Sequence, residues 1–137
     1  MNKLRGRITK IESNDHVSLV DVDVHGDNFT ATLLETPEDA PYLKVGNVVD
    51  VLFKETEVSL AKGLSGLISL RNRVNTTVKL VRSGVILSEV VMDYRGQSLS
   101  SIITSGSIKR MDIKPGDEVE ALIKANEVTL MEVEDGL

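Results

Sequence analysis

The chain repeats itself at an interval of seventy residues, with no gap between Gly26 and Leu60. The run GDNFTATLLETPEDAPYLKVGNVVDVLFKETEVSL, residues 26–60, lies over GQSLSSIITSGSIKRMDIKPGDEVEALIKANEVTL, residues 96–130. Nine positions are identical: Gly26/Gly96, Lys44/Lys114, Gly46/Gly116, Val49/Val119, Leu52/Leu122, Lys54/Lys124, Glu57/Glu127, Val58/Val128 and Leu60/Leu130. Self-similarity at a fixed period means that one supersecondary unit is used twice. Glycines and apolar residues recur because two copies of one fold need the same turns and the same core. A lysine flanked by apolar strand residues has no such structural reason to recur. Lys54 and Lys124 are therefore the first candidates for function.

The repeat divides the 137 residues into two lobes, 1–66 and 67–137. A lobe of about 65 residues is near the lower end of what folds alone. Each lobe is expected to need cover, part of it from the other lobe and the rest from a homo-oligomer that buries strands and apolar faces symmetrically. No apolar run approaches about eighteen residues, and MNKLRGRITKIES has basic residues without the apolar stretch of a signal peptide. The expectation is a soluble cytoplasmic protein with no membrane partner. The sequence has no cysteine, which excludes disulfides, thiolate metal sites and cysteine nucleophiles, and its two histidines, His16 and His25, stand apart. No directly coordinated metal cation is expected.

The formal charge of −5 argues against a polyanionic partner. Its distribution is more informative. Residues 1–66 hold seven Lys and Arg against eleven Asp and Glu, a net of −4, whereas residues 67–130 hold nine against seven, a net of +2. The second lobe is the electropositive one. The tail Met131–Leu137 adds Glu132, Glu134 and Asp135, which read as a solvated end.

Alternating or β-branched runs separated by turn residues predict five strands in each lobe. In the first they are LRGRITKIE, HVSLVDVDV, NFTATLL, NVVDVLF and TEVSL; in the second, TTVKLV, VILSEVVM, QSLSSIIT, DEVEALIK and NEVTL. Between the third and fourth strand lies the one segment of each lobe able to be helical, TPEDAPYL or SGSIKRMD. Thr36 followed by Pro37, Glu38 and Asp39 has the marks of a helix start. The predicted fold is all-β: two tandem OB-like five-stranded barrels, each with a short helix after its third strand. Gly46 and Gly116 fit a tight turn into the fourth strand. Gly63, Ser65 and Gly66 make the joint between the lobes flexible.

The second lobe collects donors of the kind that hold a small oxyanion. They are the hydroxyls of Ser69, Thr104 and Ser107, the amide of Asn72 and the cations of Arg71 and Lys124, with no acid among them. A tetrahedral dianion presents acceptors on all sides, so hydroxyls, backbone N–H groups and one or two cations suit it. Thr104 and Ser107 bracket the expected helix start, where N–H groups also favour an anion. Taken singly, each residue has a plainer use. Ser69 and Asn72 can cap a turn, Thr104 or Ser107 a helix, Lys124 can extend from a barrel edge, and Arg71 can pair with Glu127 or Asp93. The set lacks a positioned base or nucleophile pair, so no enzyme is expected.

The runs SLRNRV, GVILSEVV and ITSGSIKRMDIKPGDEVEALIKANEVTL closely resemble the Mop, or molbindin, domain, which is related to TOBE domains. Its pattern is a Ser-x-Arg-Asn start, an Ile-Thr-x-x-Ser segment and an Ala-x-Ile-Lys-Ala strand. The match spans about residues 67–131, and the first lobe resembles the same domain less well. The resemblance implies a tandem cytoplasmic molbindin that binds molybdate or tungstate at the interfaces of a symmetric homo-oligomer, a trimer by likeness to stand-alone tandem members. It carries ligand roles to Ser69, Arg71, Asn72, Thr104, Ser107 and Lys124 through side chains, and to Ala125 through its backbone N–H. In the first lobe only Lys54 survives, because Leu34 and Pro37 stand for the threonine and serine and Met1 for the arginine. Lys54 can still complete a mixed site with segments of a neighbouring lobe. Two other readings remain: an interaction or structural barrel, and a nucleic-acid-binding OB-fold. The second needs basic grooves and stacking aromatics, and this acidic chain has only Phe29, Tyr42, Phe53 and Tyr94. Neither a DNA-reading helix pair nor a phosphate loop is present, so a free-standing binder is expected.

Overall fold

The computed structural model describes residues 1–133; Glu134 and Asp135, expected to be solvated, lie outside the described residues. In chain order the elements are β1 (Asn2–Ser13), β2 (Ser18–Val24), β3 (Asp27–Leu33), β4 (Val48–Phe53), β5 (Ser59–Ala61), β6 (Asn72–Arg82), β7 (Leu87–Tyr94), β8 (Gln97–Thr104), α1 (Ser105–Met111), β9 (Glu118–Ile123) and β10 (Thr129–Glu132). Short 3-10 turns, Glu55–Glu57 and Ala125–Glu127, precede β5 and β10.

The ten strands form two antiparallel sheets of five, ordered β10-β4-β1-β2-β3 and β5-β9-β6-β7-β8. Each sheet therefore takes its last strand from the other half of the repeat. Thr129–Glu132 lies along Val49–Leu52, and Ser59–Ala61 along Glu120–Leu122. The compact units follow this exchange: the first holds 1–53 and 124–137, the second 54–123. The division 1–66 and 67–137 thus describes the repeat in sequence, while the spatial units are cut at 53/54 and 123/124.

Elements equivalent by the seventy-residue offset are built alike. The hairpins β2–β3 and β7–β8 turn on His25-Gly26 and Arg95-Gly96, whose φ angles are all positive at 51°, 90°, 48° and 87°. Such two-residue turns match the twist of the strands they join, and Gly at the second position makes them cheap. Bulges fall at Ile8/Lys10 in β1 and Val78/Leu80 in β6. The turn into the fourth strand closes on them, with Gly46 N–H donating to Ile8 O and Gly116 N–H to Val78 O, both at 2.8 Å.

Two expectations are corrected. The sheets are open rather than closed barrels: among the described residues no ladder joins β3 to β10 or β8 to β5. β5 and β10 have only three and four residues, too few to pair on both sides along their length. The preceding 3-10 turns pack on β8 and β3 instead. In the second unit a side chain bridges there, with the buried Ser101 hydroxyl donating to Val58 O at 2.6 Å. The second correction concerns TPEDAPYL, which forms no α-helix. Its start behaves as the sequence suggests, since Ala40 N–H reaches Thr36 O at 2.9 Å. Pro41 then ends it, because proline has no N–H to continue the ladder and its ring crowds the preceding turn.

Each unit has its own apolar core. Leu4, Ile8, Val20, Val22, Val49 and Val51 fill the first with Phe29 and Phe53, whose rings stack at 6.1 Å. Val74, Val78, Val90, Met92, Tyr94, Leu99 and Ile123 fill the second. Exchanged residues join both cores, Val58 in the second unit and Val128 and Leu130 in the first, all buried. Replacing Ser101 with Ala leaves Val58 O without its donor in a buried place. The expected loss is about 1–3 kcal/mol, measured by denaturant unfolding.

Candidate functional site

Of the eight candidate residues, Lys54, Ser69, Arg71, Asn72, Thr104 and Ser107 lie in the second unit, and Lys124 and Ala125 in the first. The exchange places each lysine one residue past the strand its own half contributes. Asn2 stands opposite Phe53, which precedes Lys54, and Asn72 opposite Ile123, which precedes Lys124. Both asparagines are buried, at 5% and 0% exposure. From there the chain crosses into the other unit, where the turn after Lys54 packs on β8 and the turn after Lys124 on β3.

The lysine turns are near copies. Lys54 has φ −75° and ψ 149°, and Lys124 −70° and 141°. Glu57 N–H donates to Lys54 O and Glu127 N–H to Lys124 O, each at 2.9 Å. The backbones hold the turns, and both side chains are exposed. Lys54, Lys124 and Arg71 enter no ion pair among the described residues. By contrast, Lys3 and Arg5 meet Asp50, Arg73 meets Glu120, Arg82 meets Glu89, and Lys62 and Lys114 meet Asp117. Ser69 is exposed beside Arg71 in the segment leading into β6.

Thr104 and Ser107 form a single corner where β8 gives way to α1. Thr104 is the N-cap: its Oγ1 accepts the Ser107 N–H at 3.1 Å and donates to Ser107 Oγ at 2.9 Å. Capping is therefore real, and with Ser107 Oγ accepting from Thr104 its own proton is not used in that bond. Arg110, which the sequence reading missed, brings Nη2 to 3.5 Å from Ser107 Oγ. Its signal was the three-residue spacing to Ser107 on a helix. Serines pin the corner to the β6–β7 turn: Ser88 and Ser105 hydroxyls lie 2.7 Å apart, and Ser105 donates to Gly84 O at 2.8 Å.

The equivalent corner of the first unit is different in kind. Leu34, 84% exposed, stands for Thr104 and Pro37 for Ser107. Tyr42 donates to Glu35 Oε1 at 2.9 Å, and its phenol is pushed up to about 12 by burial first, then by the Glu35 bond and the charges of Glu35 and Glu132. Acids and an apolar side chain replace hydroxyl donors there. A concavity of about 450 Å³ in the second unit, lined by Asn75, Asp93, Arg95 and Glu118 among others, takes in none of the candidate residues. Among the described residues no three His, Cys, Asp or Glu side chains could hold a metal ion, and no helix is long and apolar enough to cross a membrane.

Two like sheets whose strands recur seventy residues apart define a tandem β-module protein whose two corners differ. Known proteins place it further. The TOBE domain model matches residues 68–130. The molybdenum-pterin-binding proteins MopB and MopA of Rhodobacter capsulatus are 34% identical over 107 residues and 31% over 134, covering 77% and 94% of this chain. The chain spans only 40% and 50% of their lengths. Molybdenum-pterin-binding protein 3 of Clostridium pasteurianum is 35% identical over 65 residues, which is 47% of this chain and 96% of that protein. Among solved structures, the cytoplasmic molybdate-binding protein ModG, with molybdate bound, superposes with a TM-score of 0.90 at 28% identity over 96% of both chains. The chain belongs to the Mop family of molybdenum-pterin-binding proteins and carries its TOBE domain. Those relatives are named as binding proteins.

Two outcomes follow from the corners. Thr104→Ala removes the α1 cap and is expected to cost about 0.5–2 kcal/mol in thermal unfolding. Tyr42 keeps its proton in the folded chain up to about pH 12 against 10.0 unperturbed. The unfolded chain thus loses its proton first, and stability falls as pH rises from 10 towards 12. Tyr42→Phe should flatten that part of the unfolding profile.

Proposed function

We propose that this chain binds molybdate or tungstate in the cytoplasm, reversibly and without covalent change, for storage or buffering. The observation that carries the reading is that the cations of the motif segments, Arg71, Lys54 and Lys124, are exposed and enter no ion pair among the described residues, in a chain whose second unit also offers the Thr104–Ser107 hydroxyls. Arg71 and the lysines supply charge, Ser69, Thr104, Ser107 and Asn72 supply neutral donors, and Ala125 a backbone N–H. Charge-assisted bonds of this kind contribute about 1.5–3 kcal/mol each. The likeness to ModG over nearly the whole of both chains supports the same ligand class.

The sites lie at interfaces of a homo-oligomer, a trimer by likeness to tandem members of the family. What supports this is the apolar surface flanking both candidate segments of the second unit. Leu67 and Ile68, exposed at 105% and 41%, lead into Ser69. Val85, Ile86 and Leu87, at 98%, 75% and 55%, adjoin the start of α1, where Ser105 N–H bonds Ile86 O. Contiguous exposed apolar runs mark surfaces that another protein covers, and a second copy of the chain fits them by symmetry. A site set between such runs is dried when they are buried, which strengthens its hydrogen bonds to an anion.

The first-unit corner, with Leu34, Pro37 and Glu35, takes no equivalent part. Hydrogen phosphate is disfavoured because its proton finds an acceptor only where a hydroxyl or amide oxygen turns from donating to the anion, which costs a bond that the fully deprotonated dianion keeps. Sulfate is smaller and is held loosely. Titration calorimetry of molybdate, with sulfate and phosphate as controls and the oligomer mass measured on the same sample, tests the reading. Saturable binding of molybdate without phosphate is the expected result, and no binding heat removes it. Arg71→Ala should lose about 1.5–3 kcal/mol, tenfold or more in affinity, with the fold intact.

A further inference from the structure

The Thr104–Ser107 corner is held from its far end by a residue of the other half of the repeat. α1 has only seven residues, too few to persist on intrinsic propensity. It ends at Asp112, a left-handed residue with φ 51° and ψ 52°, a conformation that costs a side chain other than glycine energy. Lys62 is placed at this end. Its ammonium donates to Met111 O at 3.1 Å, Asp112 O at 2.8 Å and Asp117 Oδ2 at 3.0 Å. These three bonds use all its protons. A cation among the last carbonyls of a helix also complements its dipole. Asp117 is fixed in turn, its carboxyl held below the usual range by Lys62 first and then by the Lys114 N–H.

Lys62 immediately follows β5 and reaches the second unit only through the strand exchange. The repeat supplies an internal comparison. Seventy residues on, the position of Lys62 is Glu132, whose charge acts on Tyr42, the counterpart of Asp112. In that unit the segment is not an α-helix, and its corner has Leu34 and Pro37. Lysine, helix and hydroxyls occur together in one unit and are absent together from the other.

We propose that Lys62 is a positioning residue for the oxyanion corner: by holding the C-terminal end of α1 it keeps Thr104 in its capping place and the Ser107 hydroxyl that Thr104 supports in donor geometry, so the first half of the chain sets the affinity of the second half's site. This rests on the oxyanion reading of that corner. The test is calorimetric titration of molybdate into the full chain and its Lys62→Met, Lys62→Arg and Arg5→Met variants, with amide exchange at Ser107 N–H followed in each. Lys62→Met should weaken molybdate roughly tenfold, the scale on which supporting partners of a ligand group act, and speed exchange at Ser107. Lys62→Arg should restore most of both. Arg5→Met, which strips the buried Asp50 of its closest cation, should lower the melting temperature and leave affinity and Ser107 exchange unchanged. If Lys62→Met fails to fold, Asp117→Asn, which weakens one of the three bonds, should give a smaller loss in the same direction. Unchanged affinity in Lys62→Met or in Asp117→Asn, with the unaltered chain binding, overturns the positioning role alone. No binding by the unaltered chain instead sinks the oxyanion reading beneath it.

Discussion

The constraint on which this structure depends is that neither half of the repeat owns a complete sheet. Each builds four strands and passes its fifth to the other, Ser59–Ala61 onto β9 and Thr129–Glu132 onto β4. A four-stranded sheet of this size leaves an unpaired edge and an uncovered core, both costly in water. The exchange covers the β4 and β9 edges and completes the cores with one short segment per unit. Val58, Val128 and Leu130 enter the cores, and the Ser101–Val58 bond ties the second unit where no ladder runs. The same segments carry Lys54 and Lys124 at their beginnings, so the element that completes each fold also delivers the strand-end lysine that the two halves share.

Where the two halves share residues they share hydrogen bonds. The hairpin turns, the bulges in β1 and β6 and the lysine turns repeat almost atom for atom. They part company between the third and fourth strands. Thr36 starts a turn as Thr104 does, but Pro41 stops it, whereas Ile108 and Lys109 accept the N–H of the left-handed Asp112 and α1 is complete. The divergence extends to electrostatics. The second-unit end is organised by a lysine, with Asp117 and Lys114 locked around it, and the first-unit end by a tyrosine whose phenol is kept protonated among glutamates. On the proposed reading, one unit is thereby suited to an anion and the other is not.

The candidate site shows a similar split between what residue types announce and what packing arranges. That Thr104 and Ser107 act together was legible, because a cap and the residue three positions on meet at any helix start. That Arg71 and the lysines stand clear of acids was not, since an exposed cation and a paired one look alike in sequence. Arg73, only two residues from Arg71, is bound to Glu120 through two bonds at 3.0 and 3.1 Å. Lys62 gave no sign in the sequence, as it lies just beyond the ungapped repeat and its counterpart is an acid.

The sequence by itself determined the period, the ten strands, the hairpin and fourth-strand turns and the identity of the donor residues, because all of these follow from local periodicity, from φ preferences and from side-chain chemistry. It also determined the family, through motifs contiguous in the chain. Only the tertiary structure decided which half supplies each fifth strand, that the sheets stay open, that TPEDAPYL stops short of a helix and that Lys54 rather than Lys124 shares a unit with Thr104 and Ser107. The physical reason is that strands of equal pattern can pair with either of two like edges. The choice is made by non-local burial, which a repeat of like strand pattern on both sides does not encode.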